Sequence, residues 1–126
     1  MAEPHPFRVA AEAKDLELLA EALREDVLLH SPILFRGFEG RDVVSQVLTH
    51  VAATLEDLTY VDELAGERSV CLRFEARVGD RELEGIDFLE LDEDGRVAEL
   101  TVFMRPLSAI TAFNEQMKAR LEPASQ

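Results

Sequence analysis

A single cysteine, Cys71, is all the thiol that this chain of 126 residues contains, so neither an intrachain disulfide nor a thiolate metal cluster can be built from it. Basic residues are scarce as well: 13 Lys and Arg stand against 26 Asp and Glu, for a formal charge of −13. Phosphate backbones and anionic lipid surfaces reward basic patches, so nucleic acid and membranes are excluded as expected partners, and the acidity serves to keep a domain dispersed. No apolar run approaches the about 20 residues that span a bilayer, and Met1-Ala2-Glu3-Pro4-His5-Pro6 lacks the basic start and apolar core of a signal peptide. A cytoplasmic protein is expected. His5, His30 and His50 show no paired spacing, Gly37 and Gly40 do not form a phosphate loop, and Cys71 has no adjacent activating base, so neither metal nor cofactor is expected.

What is present is apolar material, 47% of the residues, enough for one buried core. A single domain over residues 1–126 is expected, with its core over about 13–105. Two early prolines suggest an extended lead-in containing His5. Residues 9–23 have helical spacing, with Leu16, Leu19, Ala20 and Leu23 on one stripe. Residues 27–30 read as a short strand that Pro32 ends, followed by a loop whose aromatics, Phe35 and Phe38, are placed to line a cavity. A second helix after Arg41 carries Val43, Val44, Val47, Leu48, Val51 and Leu55 on one face. From Leu58 the pattern alternates, predicting strands over 58–61, 69–78, 81–91 and 96–104 in consecutive antiparallel hairpins. Pro106 opens a C-terminal helix over 107–121 with a stripe of Leu107, Ile110, Met117 and Leu121. Residues 122–126 read as a frayed tail.

Turn chemistry places one acid where acids are costly. Gly79-Asp80, glycine first, predicts a type II′ hairpin that pairs Val78 with Arg81. Counting outward, Ala76 meets Leu83, Phe74 meets Gly85, Leu72 meets Asp87 and Val70 meets Leu89, all on one apolar face. The opposite face carries Arg77 near Glu82 and Arg73 near Glu84. In the next turn, a two- or four-residue loop adds Leu100, Val102 and Met104 to the Asp87 face, the arrangement that completes one apolar surface. A three-residue loop with a bulge would bring Arg105 there instead. Asp87 must then find donors, a cation or a proton.

The run Ile86-Asp87, seven residues, then Gly95-Arg96-Val97, together with the order helix, short strand, Gly40-Arg41, helix and sheet, resembles the nuclear-transport-factor-2-like superfamily. That superfamily includes SnoaL-like polyketide cyclases and ketosteroid isomerases, and the resemblance spans residues 15–104. It implies an α+β cone: a curled antiparallel sheet packed on N-terminal helices, with a short C-terminal helix and an apolar pocket between. Asp87 matches the isomerase's oxyanion-hole acid, which an apolar site keeps protonated as a donor. Leu29-His30-Ser31-Pro32 resembles the segment that holds the isomerase's base, but Ser31 stands in the base's place, and the residues before Asp15 are too few for the helix that carries its tyrosine.

The expected site therefore has Asp87 as its main catalytic group and His30 as a second. Ser31, Phe35, Phe38, Leu48, Leu72, Phe74, Leu100 and Met104 are the expected ligand-binding residues. The expected partner is a small apolar molecule, turned over without cofactor by acid–base isomerisation, cyclisation or hydration; a non-catalytic carrier or dimerisation module is the alternative. The outer sheet face gathers Ile86, Phe88 and either Thr101 or Phe103, and the resemblance implies a homodimer through it.

Overall fold

A computed structural model describes residues 3–121. Its elements run α1 (Pro6–Ala13), α2 (Leu16–Glu21), β1 (Leu23–His30), β2 (Phe38–Glu39), α3 (Arg41–Thr54), β3 (Glu56–Ala65), β4 (Ser69–Val78), β5 (Arg81–Leu91), β6 (Val97–Arg105) and α4 (Leu107–Leu121). The strands form one curled sheet in the order β2-β1-β6-β5-β4-β3. The fold is α+β, as expected. The sheet is mixed, however, because β1 lies parallel to β6. A parallel pair needs a long crossover, which α3 and the four strands β2 to β5 supply, and side-chain alternation carries no information about strand direction. The expected tail at 122–126 lies outside the described residues.

The central hairpin has the predicted register. Gly79 takes φ 63 while Asp80 stays out of the left-handed region, the geometry of a type II′ turn, and Val78 pairs with Arg81, Phe74 with Gly85 and Leu72 with Asp87. The β5–β6 connection reaches its register by an unexpected route. Asp92 N–H donates to the Arg96 carbonyl at 2.9 Å around Gly95 at φ 83, a three-residue loop. Leu91 then pairs with Val97 but Glu90 with Glu99. Ala98 is thus an extra residue in β6, and this bulge restores the parity that the odd loop had reversed. Leu89 meets Leu100, Asp87 meets Val102 and Gly85 meets Met104.

Gly85 has a packing reason: a Cβ there would lie 2.6 Å from Phe74 Cζ and overlap the Phe103 carbonyl oxygen. Its missing side chain lets the Phe74 ring lie across the inner face.

The N-terminal stripe is broken into two helices. Lys14 turns left-handed at φ 53 and closes α1, and the Asp15 side chain accepts from Leu18 N–H at 3.2 Å to start α2, the usual behaviour of an N-cap aspartate. The lead-in is also helical earlier than expected. Pro6 occupies the tolerated first position, and His5 caps α1, its Nδ1 accepting from Phe7 N–H at 3.0 Å. The other ring nitrogen, Nε2, lies 2.9 Å from the Gly95 carbonyl; with Nδ1 accepting, Nε2 carries the hydrogen and donates. Phe7 and Ala10 bury the inner side of α1, whereas Leu16 stays exposed.

α4 is rotated from its predicted stripe. Ala109, Phe113 and Met117, spaced by four, are buried, and Leu107 is 76% exposed. The helix packs on the inner side, where Thr54 Oγ1 lies 3.5 Å from Met117 Sδ, and leaves the outer sheet face uncovered. At the opposite end of α3, Gly40 adopts φ 99 and the Arg41 guanidinium forks onto the Leu23 carbonyl at 3.0 and 2.8 Å. The Gly40-Arg41 pair thus ties α3 to β1. Among the described residues, no helix is long and apolar enough to cross a membrane.

Candidate functional site

Asp87 meets a partner that the sequence reading did not name. Tyr60 Oη donates to Asp87 Oδ2 at 2.6 Å, and the two residues are 5% and 7% exposed. The Tyr60 ring stands edge-on to Phe74, centroids 6.0 Å apart at 74°, an arrangement that favours aromatic pairs. Asp87 Oδ1 has no hydrogen-bond partner among the described residues and is not sealed off, so it is free to meet a molecule in the cavity.

Tyr60 is positioned by α1 across the edge of the sheet. β3 is an edge strand, with irregularities between the pairs Glu56–Arg77 and Thr59–Glu75 and again between Tyr60–Phe74 and Asp62–Arg73. The outward backbone groups of Tyr60 are therefore left to side chains. Its N–H donates to Glu12 Oε2 at 2.9 Å, and its carbonyl accepts from Arg8 Nη2 at 3.2 Å. Arg8 Nη1 also reaches Glu63 Oε1 at 3.1 Å.

Burial pushes the Asp87 carboxyl up to about 6, and the hydrogen bond from Tyr60 opposes that rise. The Tyr60 phenol is held well above its ordinary value, first by burial and then by the Asp87 charge. At neutral pH the pair therefore consists of a neutral phenol and a carboxyl within reach of either protonation state.

Around the pair lies a cavity of about 370 Å³. Among the expected site residues, Asp87, Ser31, Phe38, Leu48, Phe74, Leu100 and Met104 line it. Three expected residues do not. His30 follows Leu29, which points inward, so alternation turns His30 to the other side, where Nε2 lies 2.8 Å from Glu99 Oε2. Phe35 is on a loop that swings outward after Pro32, and it is fully exposed. Leu72 shares the Asp87 face but packs into the core and is not among the residues that line the cavity. Ser31 has a structural task at the rim, its Oγ accepting from the N–H groups of Ile33 and Leu34 at 3.3 and 3.1 Å.

Sequence reasoning also missed Lys14 and Lys118, which line the cavity. For Tyr60 two signals were available: it is the chain's one tyrosine, and alternation puts it on the same face as Leu58. No described group of three or more His, Cys, Asp or Glu is gathered as a metal site would require.

The family model for the SnoaL-like domain matches residues 7–100. This chain is a member of the SnoaL-like family. It thereby belongs to the nuclear-transport-factor-2-like superfamily, as the strand motif implied. No curated protein matches this SnoaL-like chain. Among solved structures it is similar to a steroid delta-isomerase from Pseudomonas aeruginosa, with 38% identity, 94% of this chain and 88% of that chain covered, and a TM-score of 0.88. An uncharacterized protein with a cystatin-like fold from Silicibacter pomeroyi is 29% identical, over 91% of this chain and 82% of that one, with a TM-score of 0.88. A SnoaL-like protein of unknown function from Burkholderia thailandensis, 15% identical over 80% of this chain and 90% of that one with a TM-score of 0.69, shares the fold.

Proposed function

We propose that this SnoaL-like domain binds a small, mostly apolar organic molecule in its central cavity and fixes it by one oxygen atom held to Asp87. The observation that carries the reading is the buried Tyr60–Asp87 pair, which leaves one carboxyl oxygen facing a cavity lined mainly by Phe, Leu, Val and Met. The volume lies near the lower end of the about 300–1,000 Å³ usual for small-molecule sites. Similarity to the Pseudomonas aeruginosa protein described as a steroid delta-isomerase favours a flat ligand with an oxygen function. Titration with naphthol and naphthalene tests it by calorimetry: naphthol binds the more tightly, and Asp87→Ala removes the difference. Equal binding of the two by the wild-type protein would remove Asp87 from recognition.

A second reading is turnover, by cofactor-free isomerisation, cyclisation or hydration with Asp87 as the proton-transfer group. It is favoured by a carboxyl raised to about 6, close to the pH at which general acids and bases work best. Ser31 at the position of the isomerase's base speaks against steroid isomerisation as such, since its hydroxyl is a turn acceptor. Conversion of a β,γ-unsaturated cyclic ketone, followed by ultraviolet absorbance, should be slow and lost in Asp87→Asn. Undiminished turnover by that variant would leave the carrier role standing.

The outer face supports a homodimer. Ile86 pairs with Phe103 across β5 and β6, Phe103 is 57% exposed, and Phe88 stands beside them in a surface that α4 leaves open. Apolar side chains gathered on one outer face are what a partner surface presents. Phe103→Glu is expected to give a monomeric mass by light scattering while ligand binding persists; a wild-type monomer at micromolar concentration would count against the dimer. With its acidic surface and lone cysteine, the domain suits the cytoplasm.

A further inference from the structure

The chain has two lysines, Lys14 and Lys118, and both line the same cavity. They come from distant parts of the sequence. Lys14 sits at the left-handed junction between α1 and α2, where Nζ donates to the Ala52 and Leu55 carbonyls at 2.8 and 3.1 Å. Lys118 lies on α4, and among the described residues its ammonium has no hydrogen bond or ion pair. The last turn of α3 joins the two: Thr54 contacts Met117, and Arg120 donates to the Ala53 carbonyl at 3.0 Å.

The helix end explains part of this arrangement, since cations near a helix C-terminus meet its unpaired carbonyls. It accounts for Lys14 and Arg120, which bond those carbonyls, but not for Lys118. Among the described residues, the charged ones lining the cavity are Lys14, Lys118 and Asp87; the lysines are exposed and Asp87 is buried. The cavity thus has a carboxyl in its depth, an apolar barrel, and two cations at a mouth beside α3. In a chain of charge −13 the mean field repels anions, but over distances longer than about 8 Å it is screened at physiological salt, so the mouth is governed by its own lysines.

We propose that the cavity takes an elongated organic anion, with a neutral oxygen function at Asp87, an apolar body, and a carboxylate at the mouth between Lys14 and Lys118. The inference rests on the ligand-binding reading above and adds the anionic end. A carboxylate suits the mouth better than a phosphate, because the donors are two ammonium groups, one already engaged with two carbonyls. Among the described residues no arginine lines it to offer a guanidinium fork.

The probes are ω-(4-hydroxyphenyl)alkanoic acids of increasing tether length and their methyl esters, titrated by calorimetry into the intact chain at low and high salt. At the best tether the acid should bind about fivefold more tightly than its ester, the scale of an exposed ion pair, and salt should erase the preference. Lys118→Gln should cut acid affinity about threefold and leave the ester unchanged, with Lys118→Arg restoring it. Esters that bind as well as acids, or a Lys118→Gln variant that weakens both equally, would overturn the anionic end while leaving the cavity reading intact. Failure of both acids and esters to bind would overturn the two together.

Discussion

Asp87 and Tyr60 share one short hydrogen bond, yet they are held by different kinds of structure. Asp87 sits in the middle of β5, paired with Leu72 on one side and Val102 on the other, so the backbone ladder of three strands fixes it. Tyr60 stands on an edge strand interrupted by irregular pairs, and the side chains of Glu12 and Arg8 reach from α1 to hold its backbone. One half of the site is set by regular pairing and the other by a clamp. The difference sets the acid on regular backbone pairing and its donor on side chains that reach over from a helix.

The sharpest way to isolate the ladder-held half is Asp87→Asn. The folded carboxyl titrates at about 6 against an ordinary value of 3.8. Between those values the folded chain keeps a proton that the unfolded chain has released. The contribution of Asp87 is therefore most favourable below 3.8, falls as pH rises, and levels off above about 6. Asparagine preserves the acceptor for Tyr60 and removes the charge. The variant is expected to be more stable than the wild-type chain at pH 8 by about 3 kcal/mol, with the gap closing near pH 4. Urea denaturation at the two pH values measures it, and a gap independent of pH would mean that Asp87 titrates normally.

Tyr60→Phe tests the other half with a smaller effect. The ring and its edge contact with Phe74 remain, but the carboxylate loses its donor in an apolar cavity. At pH 8 the expected cost is about 2 kcal/mol, and at pH 4, where Asp87 is already protonated, about 1 kcal/mol. Because the hydrogen bond from Tyr60 lowers the Asp87 value, its loss should raise the carboxyl further above 6, as carbon-detected titration would show. An unchanged titration would break the electrostatic link between the two residues.

The same contrast explains what the sequence made legible. Asp87 could be located because Gly79 announces a turn type and strand pairing then follows by counting, residue by residue. The β5–β6 register was also legible from its apolar completion, although the loop and the Ala98 bulge that produce it were not. Tyr60 was hidden because the β3 irregularities break the count between it and any turn. Of its supports, Arg8 lies in the lead-in that two prolines marked as extended, where His5 and Pro6 start a helix, and Glu12 lies in the expected helix, whose spacing does not reveal a partner on β3. His30 lies outside the cavity because alternation holds to the last residue of β1 and turns it outward, and Phe35 because it stands on the loop beyond Pro32, where no strand count applies. Lys14 and Lys118 become neighbours of one cavity only through the packing of α1, α3 and α4, a tertiary relation that no local pattern encodes.

The smallest expected effect is the most diagnostic of the clamp. Glu12→Ala removes the acceptor of the Tyr60 N–H, a partly buried hydrogen bond at 2.9 Å, and should cost about 1 kcal/mol. If α1 holds Tyr60 independently of the ladder, the Tyr60 amide will exchange with solvent faster in this variant while the amides of Leu72 and Asp87 keep their protection. Tyr60 can then still donate to Asp87, but from a looser strand, so the carboxyl should titrate slightly higher than in the wild-type chain. Equal loss of protection at Asp87 would show instead that edge and interior open as one unit, and that the sheet has no separate adjustable half.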